Sequence, residues 1–515
     1  MKLERTKNAS RNIVFGGILN LYKILVPFII RTIMIYYLGM EYVGLSGLFK
    51  SILQILNLAE LGVGSAMVFS MYKPIAEDDT TTICALLRLY QKYYRIIGTI
   101  VLLMGISILP FLKYLIKDTL PSELNLYVLY LLTLGTTVCT YWLWAYRNSL
   151  FSAFQRTDVV SKVSLVISTI EYILEIFFMI NFHSYYLYLI TNLMSQIVIN
   201  LVGAIIAKYK YPNYIPAGEI DKEVVQGINQ KVKDLFTAKI GAVIVNSADT
   251  IVISACLGLT ILGIYNNYFY ILTSIISVFT TIYGAVTSGI GNSLETESAE
   301  KNYLDFKKFT FIIAWLAGCC TCLFLCLYQP FMFLWIKKQA LMFGNLEVIC
   351  FCAYFFVYEM MSVMLQYKDA AGIWHEDRFR PLITAMTNLG LNLLLVNIIG
   401  ILGVLLSTVI SFVIVGMPWL IHNIFSMLFH KSPLLYIKQV LYYTVVTCGA
   451  CVVTYYGLIW LNVYNWIWFI IKGCCCAGLS MGFFWIFYHK MEEYHSACNL
   501  ILNMIPGKLR RLFCK

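Results

Sequence analysis

Charged residues are scarce in this sequence. Asp, Glu, Lys and Arg together make up 13% of its 515 residues, whereas hydrophobic residues make up 60%. Soluble domains carry about 25% charged residues, because a folded surface needs them to stay dissolved in water. The shortage of charge therefore excludes a soluble enzyme or binding module and indicates a membrane protein.

Motifs for catalysis and metal binding are also lacking. The sequence contains no GxSxG, HExxH or Walker A motif, the patterns that carry acyl-transfer, zinc and phosphate chemistry. Its 16 cysteines lie mostly in apolar runs, and Cys319 and Cys322 have metal-ligand spacing without a second pair or a histidine cluster. Free cysteine packs as a small hydrophobe. We expect no catalytic residue, metal site, cofactor or disulfide framework, and we expect residues 375–377, His-Glu-Asp, to form a solvated turn.

Long apolar runs are abundant. A transmembrane helix needs about 20 mostly apolar residues, and fourteen segments qualify, at 12–38, 43–71, 89–112, 124–147, 160–182, 185–207, 235–257, 261–290, 309–336, 345–367, 380–399, 401–429, 437–460 and 463–488. The joints at Asn181–Tyr186 and Asn397–Gly403 leave almost no loop, so the count falls by one if either joint is a bend in a single helix. The predicted fold class is an all-α membrane protein of about fourteen spans.

The positions of Lys and Arg predict how the chain is oriented. With the N-terminus in the cytoplasm, 30 of the 38 Lys and Arg residues fall on the cytoplasmic side and four on the outer side, as the positive-inside rule requires. Both termini are then cytoplasmic. The net charge of +11 is explained by this excess, whose partner is the acidic inner leaflet rather than a nucleic acid.

An internal repeat predicts the domain organisation. Residues 38–44 recur at 257–263, an offset of 219, and residues 147–152 face 368–373 at an offset of 221. Each pair occupies the same place in the helix count, so the chain contains two parallel six-helix repeats, which in transporters enclose a cavity. The chain is therefore predicted to contain, in order, a six-helix bundle at 1–207, a cytoplasmic amphipathic linker at 208–234, a second six-helix bundle at 235–430, and two further spans with a cytoplasmic tail at 431–515.

Three segments of the first 70 residues resemble a known family. They are Asn-Ala-Ser-Arg-Asn at 8–12, Tyr-Tyr-Leu-Gly-Met-Glu-Tyr-Val-Gly-Leu at 36–45 and Leu-Ala-Glu-Leu-Gly-Val-Gly at 58–64. With the plan of six, six and two helices, they are similar to the polysaccharide branch of the multidrug/oligosaccharidyl-lipid/polysaccharide (MOP) superfamily, which contains the Wzx-type flippases.

This resemblance implies a function. It implies a MATE-like fold that moves undecaprenyl-diphosphate-linked oligosaccharide across the bacterial cytoplasmic membrane by alternating access, for surface polysaccharide assembly. It also implies membrane lipids, glycosyltransferases and a glycan polymerase as partners, and a cationic cavity that receives the diphosphate.

Basic residues inside the first two spans are candidates for that cavity. Lys23 and Arg31 lie eight residues apart, about 80° around a helix, so both can face one cavity. Pro27 between them is expected to kink the helix. Lys50 adds a third cation in span two. The alternative is that Arg31 and Lys50 reach the membrane interface by snorkelling, which fits Lys23 poorly because Lys23 lies deep within the first span.

Acidic residues inside the spans form a second set of candidates. Asp249 lies in the middle of span seven, which corresponds by the repeat to span one, so we expect it across the cavity from the cations as part of the substrate site. Glu171 and Glu175 share one face of span five and are expected to pair with the cations of span one. These two and Glu60 are candidates either for structural ion pairs or for coupling transport to a proton or sodium ion.

Two other functions remain open at this point. A drug or cation antiporter of the same superfamily should present carboxylates to its substrate, whereas spans one and two present cations with few acids near them in sequence. A membrane-embedded glycan polymerase should carry a large outer loop for its chemistry, whereas the largest outer loop here, about Lys113–Glu123, is short.

Overall fold

A computed structural model describes residues 5–60, 62–118 and 123–504. The described residues form helices and connecting turns, with no strand among them. They divide into two compact units, Met1–Asn266 and Asn267–Lys515, and the predicted limits of the two six-helix bundles stay a prediction. The end of the predicted cytoplasmic tail, residues 505–515, lies outside the described residues.

The first unit contains nine helices and the start of a tenth. They are α1 (Arg5–Tyr37), α2 (Met40–Leu56), α3 (Val63–Ala76), α4 (Thr80–Ile108), α5 (Leu126–Trp142), α6 (Asn148–Ala153), α7 (Thr157–Phe182), α8 (Tyr185–Lys210), α9 (Lys222–Cys256) and α10 (Leu259–Thr296) among the described residues.

The second unit contains the rest of α10 and the helices that follow. Within the described ranges these are α11 (Ala299–Ile336), α12 (Asn345–Ala370), α13 (Arg380–Ile399), α14 (Ile401–Ser411), α15 (Met417–Ile424), α16 (Leu434–Gly457), α17 (Trp466–Tyr488) and α18 (Glu492–Met504). Two π-helical turns, Phe412–Gly416 and Phe425–Phe429, adjoin α15, so one apolar helical run extends over Ile401–Phe429.

Each of the fourteen predicted spans falls on a described helix, and twelve of these helices, or thirteen with one bent pair, qualify as membrane spans. Counting only described residues, twelve helices are long and apolar enough to cross a membrane. A further pair, Leu126–Trp142 with Ala145–Ala153, is bent by 48°, and Val243–Cys256 is a shorter apolar helix. These last two cover the predicted fourth and seventh spans. The prediction of an all-α, multi-pass membrane protein is confirmed.

Both of the short joints separate two helices. The first lies between α7 and α8, where His183 has a φ of 49°. The second lies between α13 and α14, where Gly400 has a φ of 59°. One residue with positive φ is enough to end an α-helix, so almost no loop is needed between antiparallel neighbours. Neither joint is a bend in a single helix, and the predicted number of spans is not reduced there.

The second predicted span is interrupted. Helix α2 gives way to a 3₁₀ turn at Asn57–Glu60, and α3 begins after Gly62, whose φ of 90° disfavours any other residue. Helix α1, in contrast, continues through Pro27. Interrupted membrane helices expose backbone and side chains that can contact a substrate. Glu60 lies at the end of this 3₁₀ turn and is therefore a candidate for such a contact.

The amphipathic linker and the seventh span form one helix. Helix α9 starts at Lys222 and continues without a break to Cys256. Of the apolar side chains in its first turns, Ile228 is buried and Val224 is exposed. The structure therefore does not separate a surface helix from the span that follows it.

The internal repeat is visible in the backbone and in the packing. Gly39 and Gly258, 219 residues apart, have φ values of 132° and 100° and join α1 to α2 and α9 to α10. Within the first unit the repeated segments touch reciprocally: a Cβ on Gly44 would overlap the carbonyl oxygen of Leu259, and one on Gly263 would overlap that of Met40. The two glycines allow the helices to cross with their backbones in contact.

We expect Gly44→Ala to destabilise the protein because the new methyl group meets backbone atoms that cannot rotate away. Overpacking costs about 1–3 kcal/mol, and each kcal/mol lowers the melting temperature of a large domain by roughly 2–4 °C. The measurement is a thermal melt of the purified protein. Gly284→Ala is the matched control, because open space surrounds that helical glycine; equal melting temperatures for both variants would contradict the close crossing.

The predicted solvated turn at 375–377 is wrong for Asp377. Its side chain is buried and accepts hydrogen bonds from Arg380, from Nε at 2.7 Å and from Nη2 at 2.9 Å. Lys368 Nζ lies 3.6 Å from Asp377 Oδ2, the oxygen that accepts from Arg380 Nη2. The carboxylate therefore ties α12 to α13, a role that the local sequence does not reveal because Lys368 is nine residues away.

Asp377→Asn should be destabilising, since it leaves the buried Arg380 without its carboxylate. Lys368, in contrast, keeps its ion pair with Asp369 (2.5 Å from Nζ to Oδ1). Breaking such a pair typically costs about 3–5 kcal/mol. The yield of monodisperse protein and its melting temperature should both fall, whereas Glu376→Gln, at the exposed neighbouring position, should change neither. A melting temperature that Asp377→Asn leaves unchanged would show that the ion pairs add nothing to stability.

Candidate functional site

Helix α7 holds two carboxylates inside the first unit. Glu171 and Glu175 lie one helical turn apart and are 8% and 1% exposed. The helix packs between α1 and α8, and Tyr22 of α1 shares a hydrogen bond with Thr169 (2.7 Å between hydroxyl oxygens). This packing places both acids away from the outside of the bundle.

The two carboxylates have different surroundings. Glu171 is held by α8, whose Asn192 Nδ2 and Ser195 Oγ donate to its two oxygens at 2.9 and 2.7 Å. Glu175 has two aromatic neighbours of α8, Tyr185 and Tyr188, close enough for electrostatic interaction. Glu171 is therefore fixed by hydrogen bonds, whereas Glu175 lies in a more aromatic environment.

Lys50 is the cation that the fold brings to these acids. It interacts electrostatically with Glu175 and Glu171 of α7 and with Arg31 of α1, and its side chain is exposed. The acids were expected to pair with the cations of span one, and the structure places them with the cation of span two. We call Arg31, Lys50, Glu171 and Glu175 the charged cluster.

Arg31 has a further contact, and the other predicted substrate-site residues, Lys23 and Asp249, lie outside the charged cluster. Arg31 Nη1 donates to the backbone carbonyl of Asn266 at 2.7 Å, while Lys23 is exposed on α1. Asp249 is 7% exposed on α9, in a stretch where Ser247 and Thr250 are also buried. Helix α9 packs against α2, so Asp249 belongs to the helix next to the one that carries Lys50.

Glu60 lies outside the charged cluster, in a cluster of tyrosines. Tyr94 donates to Glu60 Oε1 at 3.1 Å, and Tyr90 donates to the hydroxyl of Tyr94 at 2.7 Å. Sequence reasoning did not select these tyrosines. Their spacing of four residues within an apolar span was the available signal, because it places two hydroxyls on one helix face.

The charged cluster balances its own charge. With all four groups ionised, two cations face two carboxylates, which lowers the cost of holding them in a membrane. An anion that enters the cluster must then compete with Glu171 and Glu175 for Lys50. The arrangement is suited to binding a negatively charged group reversibly rather than permanently.

The sequence matches one protein family. Residues 9–288, more than half of the chain, match the family model described as "Polysaccharide biosynthesis protein". No protein of the curated collection matches the chain. The matched region includes α1, α2 and α7, the helices that carry the charged cluster.

Solved structures of transporters have a similar fold. A structure of the lipid II flippase MurJ in an inward closed conformation gives a TM-score of 0.65 at 15% identity, covering 93% of this chain and 99% of that one. An inward-facing multidrug resistance MATE family transporter of the MOP superfamily gives 0.61 at 15% identity, covering 82% and 98%.

A third similar structure is a MOP superfamily transporter from Pyrococcus furiosus Vc1, described by the reverse polarity of its binding pocket. It gives a TM-score of 0.54 at 14% identity, covering 83% of this chain and 97% of that one. At these identities the likeness establishes the fold. The family model and the fold confirm the resemblance predicted from the first 70 residues: the chain belongs to the polysaccharide biosynthesis protein family and has the fold of the MOP superfamily transporters.

Proposed function

We propose that the protein is a flippase that moves a lipid-linked oligosaccharide with a diphosphate linkage, of the undecaprenyl-diphosphate type, from the inner to the outer leaflet of a bacterial cytoplasmic membrane. Alternating access is the proposed mechanism, and surface polysaccharide assembly is the process served. The observation that carries the proposal is the charged cluster inside a membrane bundle of a polysaccharide biosynthesis protein.

The cluster supplies the chemistry that a diphosphate needs. Arg31 and Lys50 are two cations on neighbouring helices, and charged hydrogen bonds to phosphate oxygens are among the stronger ones in proteins. Lys50 is accessible, so its ammonium can leave the carboxylates and bind the diphosphate. Lys23 and Asp249 remain proposed substrate-site residues that act beside the cluster.

The carboxylates provide the coupling step of the proposal. Glu171 and Glu175 compete with the substrate for Lys50, and protonation of either one removes that competition. Protonation therefore links the affinity of the charged cluster for the diphosphate to pH, which is the proposed form of coupling. Sodium is the alternative coupling ion, since a buried pair of carboxylates also attracts a cation.

The remaining parts of the proposal follow from the orientation of the chain. Both termini lie in the cytoplasm, where the basic loops meet acidic lipids. The protein acts as a transporter without chemistry of its own, next to the glycosyltransferases that supply its substrate and a polymerase that consumes the product.

A drug or cation antiporter is the second candidate function. In the sequence, few acids lie near the basic residues of spans one and two, which disfavours an antiporter. In the structure, however, Glu171 and Glu175 of α7 interact with Lys50. A similar fold is found in a MATE multidrug transporter. The sign of the charges alone therefore does not separate the two functions, and a transport measurement does.

The test of the flippase proposal is removal of the gene from its own host. We expect a lipid-linked oligosaccharide to accumulate with its sugar facing the cytoplasm, which a leaflet-selective sugar oxidation detects, while surface glycan is lost. Normal surface glycan, combined with greater sensitivity to cationic drugs, would instead support the antiporter.

A further inference from the structure

A large cavity with both polar and apolar wall residues lies in the first unit, apart from the charged cluster. Its volume is about 870 Å³, and its lining includes Glu60, Tyr72, Tyr90, Tyr94, Tyr141 and Asn148. Small-molecule sites usually measure about 300–1,000 Å³. We call it the tyrosine cavity. Among the described residues that line it, Glu60 is the one charged side chain, and no residue of the charged cluster is included.

The interruption after α2 builds this cavity. The 3₁₀ turn at Asn57–Glu60 and the positive φ of Gly62 bring the carboxylate to the cavity wall. Gly64 keeps the space next to it open: a Cβ there would lie 3.1 Å from the hydroxyl of Tyr90 and 3.5 Å from Glu60 Oε1. The glycines of the segment at 58–64 thus have a direct role in shaping the cavity.

Hydrogen bonds hold the aromatic rings of the cavity in place. The hydroxyl of Tyr90 donates to that of Tyr94, which donates to Glu60, and Tyr141 donates to Asn57 Oδ1 at 2.9 Å. The ring of Tyr94 packs edge-on against both other tyrosines, with centroids 4.4 Å and 5.5 Å away. The rings are therefore ordered before any ligand binds, which reduces the entropy cost of binding.

The chemistry of the lining matches a carbohydrate. Hydroxyl and amide groups from several helices line the cavity, among them those of Ser65, Thr140, Asn148, Ser149, Ser161 and Asn200. Such groups suit a ligand with many hydroxyl groups. Tyrosine rings offer apolar faces with a polar edge, which suits the alternating faces of a pyranose. A lipophilic cation would favour a wall with fewer hydroxyls, and a uronic acid would be repelled by Glu60.

We propose that the tyrosine cavity binds a sugar residue without a carboxylate, belonging to the transported oligosaccharide. The inference rests on the proposed function for the origin of this sugar. Glu60 accepts hydrogen bonds from sugar hydroxyl or N-acetyl groups, and the exposed ring of Tyr72 contacts the sugar ring. The buried Tyr90 and Tyr94 hold the Glu60 carboxylate in place. The charged cluster and the tyrosine cavity then recognise the diphosphate and the sugar separately.

Binding of soluble sugars to the full-length protein in lipid nanodiscs tests this inference. Saturation-transfer NMR would be recorded with three probes: neutral N,N′-diacetylchitobiose, acidic digalacturonate and the lipophilic cation tetraphenylphosphonium. We expect the neutral disaccharide to bind and digalacturonate to bind at least about tenfold more weakly, since one charged contact amounts to roughly 1.4 kcal/mol or more. These soluble sugars contain no diphosphate, so the result stands or falls independently of flipping.

Two types of variant identify the site. Glu60→Gln and Tyr94→Phe each remove part of the recognition and should weaken disaccharide binding about tenfold, while Gly64→Val fills the space and should abolish binding without removing a polar group. Lys338→Gln, at an exposed position, is the matched control, and gel filtration verifies folding of each variant. Failure of the wild-type protein to bind the disaccharide, equal binding by the variants, or a preference for digalacturonate or tetraphenylphosphonium would overturn the inference.

Discussion

The double variant Arg31→Gln, Lys50→Gln is expected to lose export of the lipid-linked oligosaccharide. Each cation contributes charged hydrogen bonds to the diphosphate, worth about 1.5–3 kcal/mol, so removing both should reduce transport more than about 100-fold. Surface glycan, measured with a lectin or an antibody in a strain lacking the chromosomal copy, should fall to the level of the deletion strain. The protein should still reach the membrane in normal amounts.

Controls separate loss of the diphosphate site from loss of folding. Lys338→Gln removes one positive charge at an exposed position and should leave export unchanged. Arg31→Lys keeps the charge while changing the hydrogen-bond geometry, so it should retain part of the activity. Normal export in a well-expressed double variant would show that these cations do not bind the substrate.

Lys23 provides an internal comparison within the same helix as Arg31. Both were predicted to face a cavity, but the fold brings Arg31 to Lys50 and leaves Lys23 exposed elsewhere on α1. We therefore expect the Lys23→Gln variant to lose less export than Arg31→Gln does.

The second large effect is expected in the pH dependence of transport. At high pH the ionised Glu171 and Glu175 occupy Lys50, and at low pH protonation of a carboxylate releases Lys50 for the diphosphate. Transport by the wild-type protein should thus increase as the pH on the substrate side falls from 8 to 6. If the competing ion pair is worth roughly 1.4 kcal/mol, the increase is about tenfold.

Glu175→Gln should remove most of this pH dependence. The amide cannot ionise, so Lys50 remains available across the pH range, and transport should be high and nearly flat from pH 6 to pH 8. Glu295→Gln, at an exposed acid near the end of α10, is the control that should keep the wild-type profile. A variant that retains the full pH dependence would assign it to another group, and a variant without transport would show that the carboxylate does more than compete.

The membrane architecture could be predicted from the sequence because lipid leaves a chain few alternatives. Backbone groups in a bilayer must be paired within the protein, so a long apolar run becomes a helix, and all fourteen runs did. The internal repeat could also be recognised in the sequence. Gly39 and Gly258 take positive φ values that other residues rarely adopt, so both helix joints, α1–α2 and α9–α10, contain glycine.

The contacts between helices could not be predicted in the same way. Spacing on one helix places Lys23 and Arg31 on a shared face, but it does not reveal which neighbouring helix they meet. The partnership of Lys50 with Glu171 and Glu175 joins residues more than 120 positions apart, and a single sequence provides no signal for it. The break at Gly62 was missed because the apolar run continues through it.

The most direct test of the flippase account is transport by the purified protein in liposomes. Vesicles would contain undecaprenyl diphosphate linked to a radiolabelled N-acetylglucosamine, and a membrane-impermeant enzyme would modify the sugar in the accessible leaflet. The account predicts that the protein exposes the inner-leaflet half of the substrate, and that the Arg31→Gln, Lys50→Gln variant does not. Uptake or release of tetraphenylphosphonium by the same vesicles, with no movement of the lipid-linked sugar, would contradict it.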